Sequence, residues 1–130
     1  MSEKTVKLTN YQMDQYIFDL EPFLDRKDII GYAAARNTRL LANASLDHVK
    51  IKTTLLQKYG KPVIDENGNK TDKLSISSDD EHYDEVATQI DISGSLVHEV
   101  TIYTIPATTV ASELTGREIL LIDWMLDDEG

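Results

Sequence analysis

The chain has 130 residues, with 13 Lys/Arg against 23 Asp/Glu, a formal net charge of −10, 41% apolar residues and no cysteine. That length fits one domain with a modest core. The missing cysteines exclude disulfides and thiolate metal sites, and the acidic balance argues against direct nucleic-acid binding, which needs a basic surface to neutralise phosphate.

Residues 4–8 alternate in polarity and predict a short strand. The N-terminal ten residues carry no apolar core of signal-peptide length, and no later stretch is long and apolar enough to span a membrane. Thr9 with Gln12 reads as a capping box opening a first helix. In that helix Met13, Tyr16, Ile17 and Leu20 recur at helical spacing, and Pro22 ends it. Asp28 is the expected N-cap of a long second helix. Residues 29–59 hold no proline and one glycine, Gly31, in the first turn. Ile30, Ala33, Ala34, Leu40, Leu41, Ala44, Ile51, Leu55 and Tyr59 fall on one face, with Asn37 and His48 in the middle of the stripe. Arg36, Arg39, Lys50, Lys58 and Lys61 form a basic edge beside it. Gly60 and Pro62 supply the stop. At about 1.5 Å per residue such a helix reaches roughly 45 Å, longer than a small domain is wide. It therefore projects, packs along a partner, or breaks between residues 43 and 47.

Asp65-Glu66-Asn67-Gly68-Asn69 is a strong turn. Asn-Gly predicts type I′, in which both residues adopt positive φ. The flanking segments, 61–65 and 73–77, form either a hairpin or a mobile loop. Ser78 and Glu81 predict a capping box, followed by an amphipathic helix through Tyr83, Val86, Ala87 and Ile90 that ends before Gly94. Residues 96–105 are rich in Val, Ile, Thr and Tyr and form the best strand of the chain, ended by Pro106. Thr115 and Glu118 predict a last capping box and a helix over 119–126, apolar on nearly every side and so expected to be buried. Residues 127–130 read as a solvated acidic tail.

The charge is split along the chain. Residues 1–61 carry 10 Lys/Arg and 7 Asp/Glu, a net of +3, and residues 62–130 carry 3 and 16, a net of −13. The basic helix edge is thus expected to face acidic segments of the same chain or of a second copy.

Candidate chemistry is sparse. Asp65-x-Asn67-x-Asn69 begins like a calcium loop, but Lys70 and Ile76 stand where that loop needs glycine and glutamate. The cluster Asp79, Asp80, Glu81, His82, Asp84 and Glu85 reads as the solvated first turn of a helix. His48, His82 and His98 are too scattered for zinc. Asn37 and His48 read as satisfied core polar residues, with a register device in an oligomeric seam as the functional version. Asp123 beside Trp124 reads as the polar edge of a buried helix. No phosphate loop or nucleophile motif is present, and no enzymatic activity, metal or cofactor is expected.

Lys7-Leu8-Thr9-Asn10, Ala33-Ala34-Ala35-Arg36-Asn37 with Leu40, Leu56-Gln57-Lys58-Tyr59-Gly60 running into the Asp65–Asn69 turn, the β segment 100–105, Glu113-Leu114-Thr115-Gly116 and the helix 118–125 succeed one another in fixed order. In that succession the chain resembles a family of small uncharacterised proteins encoded by tailed bacteriophages and prophages. The resemblance implies a phage gene product of the virion or of host takeover, located in the virion or the host cytoplasm, and brings no catalytic residues. Residues 70–95 lie outside it.

The expected architecture is α+β in a single domain, residues 1–130. A helical, net basic part (1–61) forms a helical hairpin with one long helix. An α+β, net acidic part (62–130) adds a small β element and a short C-terminal helix. The expected function is protein–protein contact, as a virion-associated or assembly accessory. The alternative is an acidic inhibitor that imitates nucleic acid towards a host defence or transcription protein. Expected contact residues are Arg36, Asn37, Arg39, His48, Lys50, Ile51, Leu55, Lys58, Asp79, Asp80, Glu81, Asp84 and Glu85. A homo-oligomer is expected, because the long stripe exceeds what the domain can cover.

Overall fold

The structure is a computed structural model and describes residues 1–127. Its elements form an α+β arrangement, as expected: β1 (Ser2–Thr9), α1 (Asn10–Leu20), α2 (Ile29–Ala44), α3 (Leu46–Tyr59), β2 (Lys61–Ile64), β3 (Lys70–Ser75), α4 (Tyr83–Gly94), β4 (Val97–Pro106), α5 (Ala107–Ala111), α6 (Gly116–Ile122) and β5 (Leu126–Asp127). They divide into two compact units, one of residues 1–45 with 97–130 and one of residues 46–96. The boundaries thus fall at 45 and 96, not at the charge change near residue 61.

The first unit is built on an antiparallel pair. β1 runs against β4 from Ser2↔Thr104 to Thr9↔Val97 without a slip, and β5 adds a two-residue parallel pairing at Ile105 and Pro106. Alternation sends Val100, Ile102 and Thr104 to the core face, with Leu8 on β1. Met13 and Leu20 of α1, Ile30, Ala33, Ala34 and Leu41 of α2, and Val110, Leu114, Ile122 and Met125 complete that core. The capping signals are realised. Thr9 Oγ1 accepts from Gln12 N–H while Gln12 Oε1 accepts from Thr9 N–H, and Thr115 and Glu118 repeat the box at α6. Asp28 accepts from Gly31 N–H. Gly31 is required because a Cβ there would lie 2.1 Å from the Arg26 carbonyl oxygen.

The long helix breaks at Ser45. Its φ/ψ of −97°/9° leaves the helical region, and both its N–H (3.0 Å) and its hydroxyl (2.8 Å) converge on the Leu41 carbonyl. The stripe expected to run from Ile30 to Tyr59 is therefore two shorter stripes in two units. Leu41 and Leu55 are buried, Leu40 and Ala44 only partly, and Ile51 is 39% exposed. An uncovered 45 Å stripe no longer argues for self-association.

In the second unit α3 packs on α4 through Leu55, Val86 and the buried pair His48–Ser93. β2 and β3 form the hairpin option for this segment. Its turn is not type I′. Only Gly68 has positive φ (79°), Gly68 N–H bonds Asp65 O, and Asp65 Oδ1 accepts from Asn67 and Asn69 N–H. A turn stabilised by the Asp65 side chain and closed by a left-handed glycine replaces the two-residue turn. The Ser78–Glu81 box does not form either. Ser77 Oγ caps Asp79 N–H and Asp80 Oδ1 caps His82 N–H, so two successive turns delay α4 to Tyr83, and it runs through Gly94.

The C-terminal helix departs most from expectation. α6 stops at Ile122 and a short 3-10 turn over Asp123–Met125 follows, so one side stays in solvent and Leu120 is 77% exposed. Asp127 pairs with Pro106 and is not part of a tail; residues 128–130 lie outside the described residues.

Candidate functional site

The site begins at Asn37. In α2 this residue is fully buried. Its Oδ1 accepts from Tyr103 N–H at 2.8 Å and its Nδ2 donates to Tyr103 O at 2.9 Å. One amide thus satisfies both backbone groups of a β4 residue on the edge that β5 leaves open, since among the described residues β5 pairs with Ile105 and Pro106 alone. The polar residue in the apolar stripe is a clamp within the chain. Both ends of its amide are taken, so Asn37 is not a partner contact.

The clamp fixes what lies on the surface. With both its N–H and its C=O held by Asn37, Tyr103 presents its ring opposite to the core-facing Ile102 and Thr104. Arg36, the residue before the clamp, donates from Nη2 to the Tyr103 hydroxyl at 2.9 Å, and its guanidinium carbon sits 5.1 Å from the ring centroid. The hydroxyl bond, then the fields of Tyr103 and Tyr32, raise the Arg36 pKa against a smaller desolvation effect. Arg39 lies one turn further along α2. Arg36, Arg39, Leu40, Asn43 and Tyr103 line an open depression of about 340 Å³. Among the described residues neither arginine is paired with a carboxylate, although the chain carries 23 acidic residues. Two charged forks, one of them pre-positioned on an aromatic ring, can grip a carboxylate or a phosphate in bidentate fashion.

The other expected contact residues lie in the second unit and do not join this depression. His48 is buried, with Nδ1 2.6 Å from Ser93 Oγ, whose own hydroxyl donates to Ile90 O; it is a core residue, as is Leu55. Lys50 and Ile51 are exposed on α3. Lys58 lies 4.9 Å from the Tyr59 ring centroid, and its pKa is raised chiefly by the Tyr59 hydroxyl, with Glu85 a minor contributor. The Tyr59 ring lies against that of His82, centroids 4.4 Å apart and planes tilted by 31°, and His82 lies 3.3 Å from Glu81 and 4.0 Å from Glu85. Lys58, at this end of α3, therefore lies within the field of Glu85. Asp84 and Glu85 occupy the first turn of α4.

A larger depression of about 480 Å³ lies between the hairpin base and this end of α3, lined by Tyr59, Lys61, Ser75, Ser77, Asp79 and Asp80 among others. Its Asp80 is committed to a backbone cap on His82 N–H. Among the described residues no three His, Cys, Asp or Glu side chains are placed to hold a metal ion, and no helix is long and apolar enough to cross a membrane.

Sequence reading found Arg36 and Arg39 but missed Tyr103. The alternation of residues 100–105 put Tyr103 on the outer face, and its pairing with Asn37 across 66 residues left no local trace. No protein-family model, no curated protein and no solved structure matches the chain.

Proposed function

We infer that this chain is a non-enzymatic phage protein that works by protein–protein contact, as a virion-associated or assembly accessory, and that it grips an acidic segment of its partner at Arg36 and Arg39. The carrying observation is the pair of arginines left without a carboxylate among the described residues of a chain of net charge −10, with Arg36 held ready by Tyr103 and Tyr103 held by Asn37. Arginine and tyrosine are the residues that most often dominate the energetics of protein interfaces. Tyr32, one turn before Arg36 and 54% exposed, extends the same surface. The phage setting rests on the sequence resemblance alone.

The nucleic-acid-mimic reading has less support. It needs acidic side chains concentrated in one array dense enough to imitate a phosphate backbone, not a modest surplus spread over both units. Residues 1–45 with 97–130 carry 7 Lys/Arg against 13 Asp/Glu, and residues 46–96 carry 6 against 10, so the two units are similarly charged at −6 and −4.

The test is crosslinking capture in the native host with the wild-type chain and with Arg36→Gln/Arg39→Gln. The expected result is a partner held by the wild type and lost by the variant, with the melting temperature unchanged. Identical captures from both proteins would overturn the reading.

A further inference from the structure

We propose that the free edge of β1 pairs with the same edge of a second copy, antiparallel about a two-fold axis through Thr5, to make one sheet across two chains. The proposal is independent of the arginine site.

β1 is an edge strand: its neighbour is β4 on one side, and among the described residues no strand pairs with its other side. Which of its backbone groups face outwards follows from two separate observations. Tyr103, opposite Glu3, gives both its N–H and its C=O to Asn37, so Glu3↔Tyr103 is a pair without mutual backbone bonds. Thr9, opposite Val97, gives its N–H to Gln12. Odd-numbered residues of β1 therefore point their backbone groups away from β4, and Glu3, Thr5 and Lys7 present a row of donors and acceptors to solvent. All three side chains are exposed.

This parity restricts the pairing of two copies. Only registers that set odd residues opposite odd residues bring donors to acceptors. Centring on Thr5 is the one that uses all three residues, and it sets Glu3 of each chain opposite Lys7 of the other. The register dictated by hydrogen bonding is thus also the one in which charges match. Shifting by two residues in either direction loses a pair of bonds and leaves a charged residue opposite Thr5. On the same face Lys7 already lies across from Glu99, and Thr5 Oγ1 is 2.9 Å from Thr101 Oγ1. The joined sheet would extend both rows: Glu99, Lys7 and the second copy's glutamate in one, four threonines in the other. Lysines on an edge strand ordinarily discourage pairing. Here Lys7 discourages every alignment except the one that gives it a glutamate.

A contact of one strand edge is smaller than a standard protein interface, so the dimer is weak and concentration-dependent. Sedimentation equilibrium over a concentration series tests it on the full chain. The wild type is expected to pass from monomer to dimer. Thr5→Pro removes an N–H that β4 does not use, so the monomer should keep its far-UV dichroism and the dimer should be lost. Glu3→Lys and Lys7→Glu should each weaken self-association about tenfold or more, by placing like charges opposite one another twice. Mixed together, those two variants should recover a heterodimer, because each lysine then meets a glutamate. Arg36→Gln/Arg39→Gln should dimerise like the wild type. A wild type that stays monomeric into the hundreds of micromolar, a dimer indifferent to Thr5→Pro, or no recovery on mixing would each overturn the proposal.

Discussion

Asn37 shows how much one side chain decides in this protein. Replacing it with leucine removes a donor and an acceptor at once and leaves the Tyr103 N–H and C=O without partners. Each unsatisfied buried group costs about 1–3 kcal/mol, so Asn37→Leu should destabilise by roughly 2–6 kcal/mol in thermal or urea unfolding. A loss within experimental error would mean that the amide is not the clamp. Its place in the stripe was readable from helical spacing, and so was its satisfied state. Its partner was not, because a contact spanning 66 residues depends on how α2 meets β4. Asp28 offers a second test at this scale. Its carboxylate is held below the ordinary value of 3.8 by the Arg26 guanidinium 2.6 Å away, helped by Gly31 N–H and opposed by desolvation. Glu118, in its capping box, is likewise lowered from 4.5, by the Thr115 backbone and side chain first. The fold therefore prefers both groups ionised. Their contribution is complete above the ordinary values and is lost as pH falls through the lowered ones. The melting temperature should drop as pH is taken below about 4.5. Asp28→Asn keeps a capping oxygen but not the ion pair, and should make that decline shallower.

At the scale of elements, local signals were legible and continuations were not. Three of four expected caps are present, at Thr9, Asp28 and Thr115, because capping is settled within four residues. The fourth, Ser78–Glu81, fails because Ser77 and Asp80 offer their own side chains to nearby N–H groups and win. The long helix was over-extended for a similar reason. Periodicity alone does not register that a serine can fold its hydroxyl back on the preceding turn. The break changes which leucine matters. Leu41 is completely buried and Leu40 only partly, so Leu41→Ala should cost about 2–5 kcal/mol and Leu40→Ala clearly less, as read by denaturant midpoints. Equal costs would put the register of α2 in error. In the hairpin, Gly68 at φ 79° has open space around its Cα, so Gly68→Ala meets no clash and pays only for the left-handed backbone, about 1 kcal/mol. The apolar C-terminal segment misled because composition does not say where a helix ends. With α6 stopping at Ile122, the exposed Leu120 becomes surface.

For the whole molecule, sequence order proved a poor guide to what folds with what. The strand that completes the first unit arrives after 51 intervening residues, so the acidic C-terminal part joins the basic α2 in one unit and the charge halves of the sequence are not halves of the fold. The α+β class followed from the strength of two segments, the helical stripe and residues 96–105. The topology did not, since a single edge strand cannot announce which distant partner it will take. What emerges is a unit whose buried amide orders a tyrosine, whose tyrosine orders an arginine, and whose two arginines face solvent with no counter-charge among the described residues. That chain of dependence makes a claim about binding that can be measured directly. The measurement is an NMR titration of the labelled chain with an oligo-glutamate peptide, against an oligo-glutamine peptide of equal length. The Arg36 and Arg39 side-chain N–H signals and the Tyr103 amide should shift with the acidic peptide only, an effect weakened by salt and absent in Arg36→Gln/Arg39→Gln. Unmoved signals at those residues, or equal shifts with the neutral peptide, would contradict that claim.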